Sequence, residues 1–595
     1  MRCESNVSHH SRVQPVAYGR QGWKASSGIL AGACLATLLV AGAAGASDYT
    51  PVTDARLVNP EPANWLMIRG NYKGWSYSPL DRINTSNVKN LMPVWSLSTG
   101  VEEGHEAPPI VNNGIMFVST SYSQVLALDA VTGDLIWRFK RKLPAGFSAL
   151  HNTSRGVALY GDKVYFQTLD AVLVALDAKT GKVTWEATVE DWKTGYYNTA
   201  APLVVKGKVL VGIAGGEFGV RGFVQAFDAE TGKSVWKTYT VPAPGEPGSD
   251  TWQKPDTWKT GGASTWMTGT YDPEANVVYW GTGNASPWFG DQRPGDNLYT
   301  ASTVALDGDT GKIKGHFQYH QNESWDWDEM NPPMLVDFQK DGTTTKGLFK
   351  TARNGYLYWL KRNSDGSVSY LNSQQYVPQN VFKSIDPKTG RPEVDLAHKP
   401  GTGKAAQFCP GLWGGKDWPY DAYNPKTGLV YIPANENHCN NLEGKVEERV
   451  PGQWWTGVAI PDFHFSVDTK AGFFGQILAY DINTGKRAWR NLYSGSMMWG
   501  SLLTTAGGLV FGGGTNDRQF RAYDAKTGEQ LWQFRTNSGI IAPPSTFEVN
   551  GVQYVAVQSG YGVDAAFQQK LMSELIGWQA DVPQGGVVWV FALSK

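Results

Sequence analysis

Short apolar runs that close on an aspartate alternate with polar turns along this chain, and the same phrase keeps returning. Ala127-Leu128-Asp129 leads through Thr132-Gly133 to Trp137, Ala175-Leu176-Asp177 through Thr180-Gly181 to Trp185, and Ala226-Phe227-Asp228 through Thr231-Gly232 to Trp236. Ala479-Tyr480-Asp481 continues to Thr484-Gly485 and Trp489, and Ala522-Tyr523-Asp524 to Thr527-Gly528 and Trp532. A further copy, Ala305-Leu306-Asp307 with Thr310-Gly311, carries Gly315 where the tryptophan belongs. Each copy predicts a strand ending in Ala-x-Asp, a turn whose glycine is free to take positive φ, and a next strand ending in tryptophan. A repeat of roughly forty-odd residues made of strands and tight turns predicts an all-β fold, a β-propeller. One blade cannot cover its own sheet faces, so the large indole of each blade is expected to pack against the neighbouring blade.

Composition sharpens this. The 68 glycines and 25 tryptophans supply turns and packing rings, and at 18% charged residues the chain is not a disordered one. A length of 595 residues would suggest several domains, but a closed ring of blades makes one large domain. A net charge of -1 argues against a nucleic-acid binder.

The amino terminus follows a different pattern. Arg2, Arg12, Arg20 and Lys24 form a basic lead, Gly28 to Ala44 is an apolar run, and Ala44-Gly45-Ala46 precedes Ser47. That order predicts a secretory signal over 1–46 and an exported mature chain over 47–595. The apolar run is short and rich in Ala and Gly for a bilayer anchor, and no later segment offers a membrane span. Removing the signal removes Cys3 and Cys34, leaving Cys409 and Cys439 in an oxidising compartment, where one disulfide between them is expected over two buried thiols. No Cys-x-x-Cys-His occurs, so no c-type haem of its own is expected, and no Gly-rich fingerprint points to a nicotinamide cofactor.

Three stretches interrupt the repeat with chemistry. Glu217 lies among glycines in Gly215-Gly216-Glu217-Phe218-Gly219, Asn284 follows an apolar strand in Gly281-Thr282-Gly283-Asn284, and Glu323-Ser324-Trp325-Asp326-Trp327-Asp328 sets acids between two indoles. Carboxylates with an amide oxygen, and no Cys or His beside them, suit a hard cation such as calcium. Any one of these acids alone would read as a turn residue or cap. Arg155 and Arg353 read equally as surface arginines, Trp266, Trp413 and Trp499 as blade packing, and His105 and His151 as ordinary polar contacts.

Taken in order with Gly70-Asn71-Tyr72, Gly104-His105-Glu106, Ser154-Arg155-Gly156, Arg293-Pro294-Gly295-Asp296-Asn297, Arg353-Asn354-Gly355, Asn380-Val381-Phe382-Lys383-Ser384 and Trp499-Gly500, these stretches resemble the pyrroloquinoline quinone (PQQ)-dependent alcohol dehydrogenases, the methanol/ethanol quinoprotein group, over essentially the whole mature length. The resemblance implies an eight-bladed propeller with tryptophan-docking repeats and with PQQ and a metal ion on its axis. It also implies a periplasmic enzyme that oxidises primary alcohols to aldehydes and hands electrons to a separate soluble cytochrome c. By motif, Glu217, Asn284 and Asp326 match the metal ligands, and Asp326 also matches the catalytic base. Trp266 matches the indole on which the quinone stacks. Glu106, Arg155, Thr199, Ser264, Arg353 and Trp499 match positions around the rim of PQQ, whose carboxylates want Arg and hydroxyl donors.

The chain departs from the family in three places. Ala149-Leu150 stands where many members have two adjacent cysteines, so the cofactor lid is expected to be an ordinary apolar contact. Asp417 stands where the family often has Asn. Gly562-Val563-Asp564 replaces the Gly-Gly-Trp that narrows the funnel, which implies a wider or more polar entrance and a substrate larger than methanol. Asp328 is the position at which calcium members are usually small and neutral and lanthanide members carry Asp. A further carboxylate favours a trivalent ion, so a lanthanide is expected ahead of calcium, against the alternative that Asp328 caps a turn. A homodimer is compatible with the chain. Two other functions stay open: a quinoprotein dehydrogenase for a larger substrate, such as an aromatic alcohol, a polyol or an amine, and a non-catalytic envelope scaffold.

Overall fold

The computed structural model describes residues 49–340, 342–458, 462–577 and 582–594. The signal segment expected at 1–46 and the start of the mature chain at Ser47 lie outside the described residues. Nearly all the regular structure is β, and the architecture is a β-propeller. Among the described residues, seven sheets have four strands, and an eighth four-stranded unit gains the short strand Tyr77–Ser78 at its edge. No helix among the described residues is long and apolar enough to cross a membrane.

One sheet shows how the repeat folds. Ile110–Asn112, Ile115–Thr120, Gln124–Asp129 and Leu135–Lys140 pair in sequence order. The first two are buried along their whole length, and the last is exposed on most positions. Asp129 ends its strand as expected, and its carboxylate accepts hydrogen bonds from the backbone N–H of Val131 (2.8 Å) and Thr132 (2.9 Å), which sets the turn. The tryptophan is placed differently from expectation: Trp137 lies within Leu135–Lys140, not at its end, and pairs across the sheet with Ala127 at a bulge. The same Ala–Trp pairing recurs at Ala175 and Trp185, Ala226 and Trp236, Ala479 and Trp489, and Ala522 and Trp532. A small side chain opposite the indole leaves the ring free to lean over the next blade.

It leans onto the next blade's turn. Trp95 Nε1 donates to Ala130 O (3.1 Å), Trp137 to Ala178 O (2.9 Å), Trp185 to Ala229 O (3.1 Å) and Trp489 to Ala525 O (3.2 Å). Each of these rings also lies flat against the turn glycine. A Cβ at Gly133, Gly181, Gly232 or Gly528 would come within 2.5–2.7 Å of the ring atoms of Trp95, Trp137, Trp185 or Trp489. The Thr-Gly glycine is therefore needed twice, for its positive φ and for the face that it leaves bare. The copy lacking tryptophan has a steric reason. Gly315 packs against the backbone of Ser367, whose Cα would lie 2.7 Å from an added Cβ, and the neighbouring contact is instead the Phe317–Tyr370 stack.

The ring closes by sharing a sheet between the two ends of the described chain. Leu91–Ser98 pairs with Val587–Leu593, which continues into Val552–Ser559 and Ser545–Val549, and Trp532 Nε1 donates to Leu91 O (3.0 Å) across this seam. The helix Val563–Ile576 is inserted between the strands Val552–Ser559 and Val587–Leu593. Cys409 and Cys439 are joined as a disulfide, as expected.

Gly181→Ala tests the docking contact. The substitution adds both a strained φ of +69° and a Cβ 2.5 Å from Trp137, against a rigid ring. It should destabilise the protein by about 2–5 kcal/mol. Gly245→Ala, with φ +88° and nothing within 4 Å, should cost only about 1–2 kcal/mol. Urea unfolding of both variants measures the difference, and equal effects would show that the indole gives way.

Candidate active site

A cavity of about 400 Å³ brings together residues from loops far apart in sequence, among them Arg155, Thr199, Glu217, Trp266, Asp326, Asp328, Arg353 and Asp417. That volume falls within the range of small-molecule sites. Glu106, Ser264 and Asn284 stand just behind this lining.

The acidic loop explains its own alternation. Trp325 and Trp327 turn into the core, where their rings stack 5.4 Å apart and their indole N–H groups donate to His398 O (2.8 Å) and Gly411 O (3.0 Å). Glu323 does not face the cavity chemistry; its Oε1 accepts from the backbone N–H of Trp325 (2.5 Å) and Trp327 (2.9 Å) and ties the loop. With the indoles anchored inward, Asp326 and Asp328 are left to the cavity. Asp326 has φ +62°, a left-handed conformation that costs a non-glycine residue about 1–3 kcal/mol.

Asp326 Oδ1 accepts from Asn284 Nδ2 (2.7 Å), and Asp328 Oδ2 accepts from Trp266 Nε1 (2.7 Å) while its Oδ1 accepts from the Asn284 backbone N–H. Gly283 is essential there, since a Cβ would sit 2.6 Å from Asp328 Oδ1 and 2.8 Å from Ser264 Oγ. Glu217 rides on a single turn, Gly216–Phe218, bracketed by Gly215 (φ 112°) and Gly219 (φ 65°) in left-handed conformations, and Trp455 N–H ties the turn through Glu217 O at 2.7 Å.

The acids sense one another. Burial and then the charge of Asp328 push Glu217 up to about 7. Burial, Asp328 and Glu217 raise Asp326 well above the carboxylate range, with Arg353 opposing. Among the described residues, no three His, Cys, Asp or Glu side chains gather on one point as a ready-made metal cage. Glu217, Asp326 and Asp328 are instead spread around the cavity. The donor set still fits a hard cation: three carboxylates, and Asn284 Oδ1 buried without a hydrogen-bond partner.

Two buried ion pairs flank the acids. Arg155 contacts Glu106 at 2.9 Å and donates to Thr199 Oγ1 at 2.6 Å, and its guanidinium lies 4.6 Å from the Trp266 ring centroid. Burial pushes Glu106 up to about 7 despite Arg155. Arg353 pairs with Asp417 and donates to Asp326 O at 2.8 Å. Burial raises Asp417 to about 6, with Arg353 opposing. Burial would lower Arg353, but Asp417, Asp328 and Asp326 hold it above its usual range. Arg155 Nε and Arg353 Nε are buried with no partner, so both guanidiniums keep donors for an anionic ligand.

Trp499, like Glu106, Ser264 and Asn284, is a matched position outside the cavity lining. Its Nε1 donates to Gln568 Oε1 (2.6 Å) on the Val563–Ile576 helix, and its ring meets Trp413 edge-on at 6.4 Å. Leu150 lines the cavity and packs with Ala149 against Tyr197 and Phe218, an apolar contact. Val563 and Asp564 line the mouth at the start of the helix. Sequence reasoning missed the aromatic wall of Trp288, Trp413, Trp454, Phe463 and Phe567, because its members come from separate loops with no common spacing. It also missed the helix, although a run free of Gly and Pro from Val563 to Ile576 is a legible signal for one.

Comparison with known proteins places this geometry. Residues 65–384 and 389–555 match the PQQ family model described as glucose/ethanol/alcohol dehydrogenase, beta-propeller domain. The quinoprotein alcohol dehydrogenase PedH of Pseudomonas putida is 37% identical over 589 residues, covering 94% of this chain and 96% of its own. A quinoprotein ethanol dehydrogenase of Pseudomonas putida is 36% identical, covering 92% of this chain and 94% of its own. Among solved structures, a europium-containing methanol dehydrogenase superposes with a TM-score of 0.84 at 35% identity, covering 91% of this chain and all of its own (100%).

The raised acids set a pH dependence. A carboxyl held near 7 in the folded protein, against 4.5 for its ordinary value, binds more protons folded than unfolded between those values. Stability of the metal-free protein should therefore fall as pH rises from 4.5 to about 7 and level off above it. Glu217→Gln should flatten part of that slope in chemical unfolding at pH 5 and pH 7. An unchanged slope would place the titration elsewhere.

Proposed function

The chain belongs to the PQQ-dependent glucose/ethanol/alcohol dehydrogenase β-propeller family, and we propose that it oxidises primary alcohols to aldehydes with PQQ and a metal ion. The observation that carries the proposal is one cavity where Glu217, Asp326 and Asp328 meet two guanidiniums with spare donors, beside the unpartnered Asn284 Oδ1. When bound, PQQ would supply the two-electron acceptor and the metal the Lewis acid that polarises its carbonyl.

The proposal gives each residue a role. Asp326 takes the hydroxyl proton of the alcohol, a task suited to a carboxylate whose proton affinity is raised by burial. Glu217, Asn284, Asp326 and Asp328 hold the metal. Arg155 and Arg353 hold cofactor carboxylates, with Glu106 and Asp417 orienting them. Thr199 and Ser264 add hydroxyls, Trp266 offers a flat face, and Trp499 supports the rim from behind Trp413. The preferred metal is a lanthanide. Asp328 supports this, since each of its oxygens keeps a lone pair beyond the hydrogen bond that it accepts, and so does the likeness to a europium-containing relative.

The proposal extends to a ring of eight blades, one for each four-stranded unit, to export through residues 1–46, and to electron transfer to a soluble cytochrome c. The Cys409–Cys439 disulfide supports an oxidising compartment. A non-catalytic scaffold would gain nothing from burying these like charges together, which costs free energy without a ligand. A substrate larger than methanol is supported by Val563 and Asp564 at the mouth.

Reconstituting metal-free protein with PQQ and either lanthanum or calcium, and then following dye-linked oxidation of alcohols, tests the function. Asp326→Asn should lower kcat about 10²–10⁴-fold while PQQ still binds; near-normal turnover would remove its role as base. Lanthanum should activate the wild-type enzyme more than calcium, and Asp328→Ala should reduce the lanthanum response more than the calcium response. Full activity with calcium, unaffected by Asp328→Ala, would reduce Asp328 to a turn residue.

A further inference from the structure

We propose that the cavity selects alcohols carrying a cationic group, amino alcohols by chemical class, and that Asp564 is the residue that selects them. This rests on the alcohol dehydrogenase function proposed above and adds the chemistry of its substrate. Asp564 is the second residue of the helix Val563–Ile576 and lines the cavity at its mouth. The Asp564 side chain both lines the cavity and stays partly open to solvent, so a substrate entering the cavity meets its carboxylate. The nearest basic side chain is His151, with Nε2 3.5 Å from Asp564 Oδ2, and both side chains remain about a quarter exposed (23% and 25%). Burial holds the His151 imidazole below its usual range, so at neutral pH it does not cancel the aspartate charge.

The rest of the cavity points the same way. Six carboxylates line it against two guanidiniums. A polyanionic cofactor and a metal cation would offset one another, so a substrate still meets the excess acid of the protein. Aromatic rings share the lining with the acids, with Trp288 5.5 Å from Phe463 and 6.2 Å from Trp454, and Phe567 6.1 Å from Trp413. Indole faces attract cations as well as apolar chains. An apolar alcohol seated here would desolvate Asp564 without giving it a partner, a net cost, whereas an ammonium gives it one. The two substrate types are therefore separated by a gain for one and a cost for the other.

The test compares isosteres in the PQQ- and metal-loaded enzyme. In each pair, such as 3-amino-1-propanol with 1-butanol or 5-amino-1-pentanol with 1-hexanol, an ammonium replaces a methyl group. At the best chain length and low ionic strength, kcat/KM for the amino alcohol should exceed that of its neutral isostere about tenfold. That advantage should shrink as salt is added, and 3-hydroxypropanoate should be the poorest substrate. Asp564→Asn should lower the ratio of amino alcohol to alkanol about tenfold, a change that a merely structural role would not produce. Neutral alcohols that match or beat their amino isosteres at every length, or an Asp564→Asn variant that leaves the ratio unmoved, would overturn the inference and leave the dehydrogenase function standing. A loaded enzyme that oxidises no alcohol at all would overturn both.

Discussion

The contact on which the rest of the structure depends is a tryptophan ring lying on the bare face of a glycine in the next blade. Trp137 on Gly181 and Trp185 on Gly232 are two instances, and each fixes one sheet to its neighbour by a flat van der Waals contact and one indole hydrogen bond. A single four-stranded blade cannot bury its own sheet faces; it needs them covered by its neighbours. Linking each sheet to the next by the same contact turns a row of marginal units into one body. The shared sheet of Leu91–Ser98 and Val587–Leu593 closes that body from both ends.

With rigidity supplied by the repeat, the connecting loops are free to carry groups that would otherwise be too costly to bury. Glu217, Asp326 and Asp328 are like charges whose burial raises the proton affinity of Glu217 and Asp326. They are held around one cavity by packing that has nothing to do with charge: the two stacked indoles of the acidic loop, the glycine bracket around Glu217, and the missing Cβ of Gly283. The electrostatic cost is met by anchoring, and a cation would relieve it. Arg155 and Arg353 follow the same logic, since each is already paired with a carboxylate and still keeps a donor.

Much of this was legible in the amino-acid sequence, and the part that was not has a common cause. The Ala-x-Asp, Thr-Gly and Trp phrase announced the strands, the turn and the docking ring, because all three are set by residues close in sequence. It placed the tryptophan wrongly at a strand end, since only the register against Ala127 decides where the indole falls. The Cys409–Cys439 bond followed from there being no other partner in the mature chain. The pairing of Arg353 with Asp417, the unpartnered Asn284 oxygen and the aromatic wall were out of reach, because each is made by residues that only the closed ring brings together. Glu323 shows the converse: by sequence it is one more acid in a cluster, yet its Oε1 is spent on two backbone amides of its own loop and its Oε2 lies 4.0 Å from Arg293.

The site therefore works as one electrostatic unit and not as separate ligand sets. Asp328 raises Glu217 and Asp326, and it also stabilises the positive charge of Arg353, which in turn is held by Asp417. Asp564 acts on Glu106, Glu217 and Asp417 from the mouth. Asp417 is the group common to both guanidinium pairs, since it pairs with Arg353 and its charge also acts on Glu106. Under the proposed function, metal, cofactor and substrate would share these carboxylates, and a cation bound at one end of the cavity would alter what the other end attracts.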